Sequence, residues 1–369
     1  MKIITTVGTS LLTNVIIPLK NRCNINDEEQ LAIKAFTTLQ NKDFSEKNKY
    51  KKEYDFLKNF ALKYISFNEK TSAEIKSILA LRNKYKNQFL EIELIATDTL
   101  LSPLCSEVLQ DLIEENLENI KVNFSNNNII KDLQVSDYNK YKKGLINLLD
   151  RLNDFTYGGE YFGDILLNIT GGFKGVIPYM TIYGQINNIP LFYIFEFTNA
   201  LIEIPQIPIT LNEKLFDKYW REFYKISNDL INKDNLSYEF IKEASNLIEI
   251  EDNYVYINAL GKILWDKYKN EHLIFYTTDD IYEEILKQKN IKKILKEKFL
   301  DTYKNKTEIK NSHYVYDDGN NPYRIFYFEE NGSIYIYKTF EDHDKYEKYI
   351  NSIFFDKDKF KKEAKLFKI

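Results

Sequence analysis

The chain has 369 residues, enough for two or three domains at roughly 100 to 200 residues each. Lysine and arginine total 51 against 55 aspartates and glutamates, a formal charge of −4, which excludes a wholly basic nucleic-acid coat but leaves room for a local basic face. With 44% hydrophobic and 29% charged residues, the composition is that of a globular protein with apolar mass for more than one core.

Met1 runs directly into Lys2, Ile3, Ile4, Thr5, Thr6 and Val7, a β-branched stretch too short for the apolar region of a signal peptide. No later run approaches the roughly 18 apolar residues of a membrane span. Cys23 and Cys105 stand apart with no CxxC or Cys/His spacing, so neither a disulfide framework nor a zinc site is expected, and a reducing cytoplasm fits.

Strands are expected at residues 3–7, 89–97, 120–124, 165–170 and 191–197, each a short run rich in Ile, Leu, Phe or Val, as for strands buried on both faces. Between them apolar residues recur at spacing three and four. Val108, Leu112, Ile113 and Leu117 mark one helix, and Tyr141, Leu145, Leu148, Leu149 and Leu152 another. Alternating strand and helix predicts an α/β fold with a parallel sheet and right-handed crossovers, whose ligands bind at the carboxyl ends of the strands.

Two of those ends carry chemistry. The first strand runs into Gly8-Thr9-Ser10-Leu11, and the fourth into Thr170-Gly171-Gly172-Phe173-Lys174-Gly175 ahead of a helix. Glycines let backbone amides approach a phosphate, a helix N-terminus adds partial positive charge, Lys174 adds a full one, and Thr9, Ser10 and Thr170 offer hydroxyls. The spacing fits neither GxGxxG nor GxxxxGK[ST], so no dinucleotide or P-loop site is expected. The plainer alternative is that the glycines only make tight turns.

The segment Thr6-Val7-Gly8-Thr9-Ser10-Leu11-Leu12, the strand end Ala96-Thr97-Asp98-Thr99, and Asn168-Ile169-Thr170-Gly171-Gly172-Phe173-Lys174 resemble the CARF family over about residues 1–205. CARF denotes the CRISPR-associated Rossmann fold, the sensor domain of type III CRISPR effectors. The resemblance implies a Rossmann-like parallel-sheet domain over residues 1–208. It also implies a homodimer whose paired pockets bind a cyclic oligoadenylate, most often the tetra-adenylate. A twofold-symmetric ring of phosphates suits an interface that presents one anion site twice. The ligand-binding residues so implied are Gly8, Thr9, Ser10, Leu11, Asp98, Thr170, Gly171, Gly172, Phe173 and Lys174. Some family members also cleave their ligand with hydroxyl and lysine side chains, roles that Ser10 and Lys174 would take.

Residues 209–272 are expected to form a connector. A helical face of Leu215, Phe216, Tyr219, Trp220, Phe223 and Ile226 is followed by a hairpin that turns at Glu251-Asp252-Asn253, and the pattern resembles winged-helix connectors. The candidate recognition helix, residues 238–246, carries Lys242 against Glu239 and Glu243, so a structural or dimerising linker is favoured over DNA reading.

Residues 273–369 read as an α+β domain. Asp279-Asp280 precede a helical pair whose apolar residues are Ile281, Ile285, Leu286, Ile291, Ile294, Leu295 and Phe299. Its opposite face carries Lys289, Lys292, Lys293 and Lys296, a basic stripe that is either solvated surface or an RNA-binding face. Strands are expected at residues 313–316, 323–328 and 334–337, with Asn331-Gly332 in the last hairpin.

Pro322-Tyr323-Arg324-Ile325-Phe326-Tyr327-Phe328, then Asn331-Gly332, Lys338, Phe340 and His343, resemble RelE/ParE-superfamily toxins over about residues 273–355. RelE-type enzymes cleave messenger RNA in the ribosomal A site without a metal. In-line attack by a ribose 2′-OH needs a proton acceptor, a cation for the phosphorane and a donor for the leaving oxygen. By position the resemblance assigns Arg324 to the phosphorane and His343 to proton transfer. Lys338 and Lys345 are cationic candidates, and Tyr346 or Tyr349 matches the C-terminal tyrosine. The basic pair expected before the turn is replaced by Val315, Tyr316, Asp317 and Asp318, which puts catalytic roles there in doubt. No histidine among His272, His313 and His343 has the Arg-x4-6-His spacing of a HEPN ribonuclease. The expected protein is therefore a cytoplasmic, dimeric, cyclic oligoadenylate-activated endoribonuclease acting on translating ribosomes and messenger RNA. DNA and membrane partners are not expected, and the alternatives are a ligand-responsive transcription regulator or a ribosome-independent ribonuclease.

Overall fold

The computed structural model describes residues 1–134, 137–157, 164–195, 200–208, 213–319, 321–352 and 355–369. Two compact units emerge, one of residues 1–212 and 230–263, the other of residues 213–229 and 264–369. The segment expected as a connector is thus divided between them.

The first unit is built on a sheet of seven strands: β1 (Lys2–Val7), β2 (Leu90–Thr97), β3 (Ile120–Asn123), β4 (Ile129–Ile130), β5 (Ile165–Asn168), β6 (Leu191–Ile194) and β7 (Leu201–Ile204). The order is β3-β2-β1-β5-β6-β7, with β4 also paired to β2, and all pairs are parallel except β6 with β7. Residues 196 and 197, the end of an expected strand, lie outside the described residues, as does Leu211 at the start of the expected connector helix.

Alternation along each strand feeds two cores. Ile3 and Ile4 are adjacent in sequence yet belong to opposite ones. On one face lie α1 (Ser10–Lys20), α2 (Asp27–Leu39), α3 (Lys51–Tyr64), α4 (Ala73–Lys84) and α5 (Leu101–Asn116), contributing residues such as Ile16, Phe36, Leu57, Ile78 and Leu109. The other face is covered by α6 (Tyr138–Tyr157), through Leu145, Leu148, Leu149 and Leu152, and by α7 (Ile177–Ile186), through Met180 and Tyr183. Spacing three and four buries one stripe of each helix.

Also in this unit is a small antiparallel sheet of β8 (Ile231–Asn232), β9 (Ile248–Glu251) and β10 (Tyr254–Ile257), ordered β8-β10-β9. The β9–β10 turn places Asp252 and Asn253 at φ 48° and 67°, the left-handed pair that a two-residue hairpin requires.

In the second unit β11 (Ile274–Thr277), β12 (Thr307–Lys310), β13 (His313–Asp317), β14 (Arg324–Glu330), β15 (Ser333–Phe340) and β16 (Lys365–Lys368) form one sheet in the order β12-β13-β14-β15-β11-β16. Only β11 with β15 is parallel. Ile325 and Tyr327 face a core with Ile285, Ile291, Leu295 and Phe299. Phe326 and Phe328 face another with Tyr346 and Phe360. The expected helical pair and three-strand meander are present, and Asn331 and Gly332 turn the hairpin at φ 50° and 74°. Among the described residues no helix is long and apolar enough to cross a membrane.

Candidate functional site

In the first unit a cleft of about 370 Å³ opens at the carboxyl ends of β1, β2 and β5. The chain order reverses there, since β1 has β2 on one side and β5 on the other, and such a switch point is where open α/β sheets hold ligands. Its lining includes Gly8 and Thr9 from the β1–α1 turn, Thr13 from the first turn of α1, Thr97 at the end of β2 and Thr99 after it, Ser102 from α5, and Gly172, Phe173 and Lys174 after β5. Phe36, Gln40 and Asn41 from the end of α2, together with Leu101 and Gln134, complete it. Hydroxyls, amides and two aromatic rings surround one lysine, so polar and apolar contacts are available side by side.

The structure divides the expected ligand residues. Gly8, Thr9, Gly172, Phe173 and Lys174 line the cleft, and Lys174 is exposed. The other five have different tasks. Leu11 is fully buried in the core. Thr170 accepts the Ile194 amide at 3.0 Å, tying β5 to β6, and Asp98 accepts the Asp132 amide at 2.9 Å. Ser10 and Gly171 meet Glu74.

Glu74, in the first turn of α4, is 1% exposed. Its Oε1 accepts the amides of Gly8 at 3.0 Å and Gly172 at 3.3 Å, and its Oε2 accepts the Ser10 hydroxyl at 2.5 Å. The two amides expected to cradle a phosphate therefore hold a carboxylate of the chain itself, and the protein satisfies its own anion nest. A Cβ on Gly171 would stand 2.6 Å from Glu74 Cγ, and one on Gly172, at φ +92°, would stand 2.5 Å from Thr6 Cβ. These glycines are required by close approach as well as by turn geometry.

Beneath the cleft, Asn168 donates to Thr5 Oγ1 at 2.9 Å and to Ser77 Oγ at 2.8 Å, joining β1, β5 and α4. Ser102 donates to the Val7 carbonyl at 2.8 Å and accepts the Thr97 amide at 3.0 Å, joining β1 and β2. Both side chains are essentially buried, so the floor is held by satisfied polar ties.

The candidates in the second unit are more dispersed. Arg324 is 6% exposed, and its guanidinium donates to the carbonyls of Asn321 at 2.6 Å and Tyr323 at 2.8 Å and pairs with Asp317 at 2.9 Å. Its Nε is buried without a hydrogen-bond partner, and the ring of Tyr346 lies 5.3 Å away. Tyr346 accepts from Lys310 at 3.3 Å and meets the His343 ring edge-on at 5.1 Å. His343 and Lys345 are exposed, while Lys338 is tied to Glu284 at 2.8 Å. Burial pushes the Tyr349 hydroxyl above its ordinary value. His313 is buried and shares a hydrogen bond of 2.7 Å with Tyr337. In the stripe, Lys289, Lys293 and Lys296 are exposed and Lys292 half-buried, with Lys293 3.8 Å from Glu297. Among the described residues no group of His, Cys, Asp or Glu is placed to hold a metal ion.

Residues 69–207 match the family model described as CRISPR-associated protein (Cas_APE2256). The matched segment runs from just before α4 through β7, and so contains Glu74, the β2 end and the whole β5 turn of the cleft. No curated protein matches the chain. The match indicates a link to CRISPR-associated proteins for the part of the first unit that carries most of the cleft.

Proposed function

We propose that the chain is an effector of type III CRISPR defence, in which a cyclic oligoadenylate binds the first unit and the second unit cleaves messenger RNA on the ribosome. The observation that carries the reading is the polar, aromatic-lined cleft at the sheet's switch point, most of whose walls fall within the CRISPR-associated match. The ligand's phosphates approach Lys174, Thr9 and Thr13, and its bases meet Phe36 and Phe173. A homodimer presents two such clefts to a symmetric ring, and tetra-adenylate is the ring size proposed. Ligand controls output only by binding the active arrangement more tightly than the resting one.

For the second unit the reading rests on the resemblance of the β14–β15 hairpin to RelE-type toxins, with the exposed His343 beside Tyr346 and a lysine stripe for RNA. His343 serves proton transfer. For Arg324 to meet a phosphorane, its guanidinium exchanges Asp317 for the substrate, one anion for another. The acidic wing, with Glu249, Glu251 and Asp252, opposes a DNA backbone and disfavours a transcription regulator.

The test is purified protein with cyclic tetra-adenylate, mixed in turn with translating ribosomes, naked RNA and duplex DNA. Cleavage confined to ribosome-bound message supports the proposal. Cleavage of naked RNA replaces it with a free ribonuclease, and a DNA shift without cleavage replaces it with a regulator. Calorimetry showing no binding of any cyclic oligoadenylate removes the ligand.

A further inference from the structure

Three successive residues in the first turn of α6 leave it in three directions. Lys140 donates to Asp43 at 2.9 Å. Tyr141 donates to the Gly175 carbonyl at 2.8 Å and sets its ring edge-on to Phe173 at 5.7 Å. Lys142 donates to Glu249 at 2.6 Å. Successive side chains on a helix project about 100° apart, so a single rigid turn can reach three elements at once.

Two of those elements carry the lining of the cleft. Asp43 closely follows Gln40 and Asn41 and forms a β-bridge with Thr99, all three of them lining residues. Phe173 and Lys174 are lining residues adjoining Gly175. The third element is the β9–β10 hairpin, where Glu249 also accepts from Tyr256 at 3.3 Å. All of these residues belong to the first unit.

We propose that the first turn of α6 is a relay that reports occupancy of the cleft to the β9–β10 hairpin. The relay rests on the reading of that cleft as a cyclic oligoadenylate site. A ligand seated against Gln40, Asn41 and Phe173 changes the spacing of the segments that carry them. Lys140 and Tyr141 span those segments, and a helix that keeps its backbone hydrogen bonds passes the displacement to Lys142 and thence to Glu249. The hairpin is placed to respond. Between it and α6 lies an open groove of about 950 Å³, lined by Tyr138, Lys142, Ile146, Glu249, Tyr254 and Tyr256, rather than a close-packed seam. Across that groove the Lys142–Glu249 pair is a direct tie to the hairpin, with Lys262–Asp150 and the packing of Ala259 and Ile263 joining α6 just beyond β10, and removing that pair loosens the hairpin's link to α6 without opening a core.

The experiment is amide hydrogen exchange of residues 248–257 in the full-length chain, in wild type, Tyr141→Phe and Lys142→Met, with and without cyclic tetra-adenylate. Calorimetry on the same samples reports whether the nucleotide is bound. In the wild type, bound ligand is expected to change hairpin exchange by about fivefold or more, the low end of coupling between linked sites. In Lys142→Met the ligand binds and the change is lost, and in Tyr141→Phe it is reduced. Ligand bound without any change in the wild-type hairpin overturns the relay, as does an undiminished change in Lys142→Met. A second arm needs no nucleotide: Phe173→Leu, which removes the ring against Tyr141, changes hairpin exchange when Lys142 is present and not when it is Met. If no cyclic nucleotide binds, the cleft reading fails. This second arm then decides the relay alone, since an unaltered hairpin in Phe173→Leu overturns it.

Discussion

Ser10 donates its hydroxyl to the buried carboxylate of Glu74 at 2.5 Å, and that carboxylate also gathers the amides of Gly8 and Gly172. One side chain of α4 thereby fastens the turn after β1 to the turn after β5.

Glu74→Ala leaves three partly buried donors without the buried carboxylate that accepts them. A loss of about 3 kcal/mol of stability is expected, the range for breaking a buried charged hydrogen-bond network. Glu74→Gln keeps an acceptor oxygen and loses less. Urea unfolding of the three proteins measures the difference, and an alanine variant within about 0.5 kcal/mol of wild type would contradict it.

Gly171→Ala tests the same fastening from the opposite side. Its backbone lies outside the left-handed region, where alanine is ordinarily neutral or stabilising. Here the new Cβ would meet Glu74 Cγ at 2.6 Å, so the carboxylate must shift off the amides. A lowered melting temperature is expected, and an unchanged or raised one counts against the contact.

Lys174→Ala removes the cation of the cleft at an exposed position. Cyclic tetra-adenylate affinity is expected to fall about tenfold or more, as for losing one charge-assisted hydrogen bond. Calorimetry decides it, and unaltered affinity would place the phosphates elsewhere.

Arg324→Ala is expected to destabilise the second unit by about 3 kcal/mol, because it strands Asp317 and two carbonyls in a nearly dry site. Loss of RNA cleavage in that variant alone is therefore ambiguous between fold and chemistry. His343→Ala, at a site 52% exposed, separates them: cleavage falls while the unfolding transition stays put. An unchanged cleavage rate in His343→Ala would exclude its proton-transfer role.

Asp318 supplies a pH signature. Burial alone would raise its pKa, but hydrogen bonds from Lys298 and Lys306 prevail and hold it below the ordinary 3.8. A depressed folded value means its contribution is intact above the unfolded value near 4 and is lost as pH falls below that toward the folded one. Asp318→Asn should flatten the acid limb of stability against pH for this unit, and an identical limb in the variant would refute the assignment.

The parallel sheet was legible because strands buried on both faces read as continuous apolar runs, and Gly8 and Gly172 marked the ends that form the cleft. Glu74 was not. An acidic residue two places after Ser72 looks like ordinary helix-start chemistry, and nothing local says that its carboxylate reaches a turn 66 residues earlier. The helices α1 to α4 between β1 and β2 lie outside the elements expected from the sequence, although Asn26 followed by Glu29 is a capping box that signals the start of α2. In the second unit β12 and β16 carry little strand signal, because Thr307–Lys310 and Lys365–Lys368 are short, half polar and lysine-bearing, as edge strands tend to be. Arg324 stood out by position in the sequence, whereas its enclosure depends on Asp317 across the strand pair, which no spacing rule reveals.

The backbone visits the second unit early, at the helix Lys214–Asn228, before returning to finish the first. Phe216 of that early helix packs against Trp265 and Tyr268 and Phe223 stacks on Trp265, residues that arrive some forty to fifty positions later. No single scission therefore liberates either half intact. A truncated product or a protease nick between them would leave an orphaned aromatic surface on one fragment and a gap in the other, so the two units are inherited, made and discarded together.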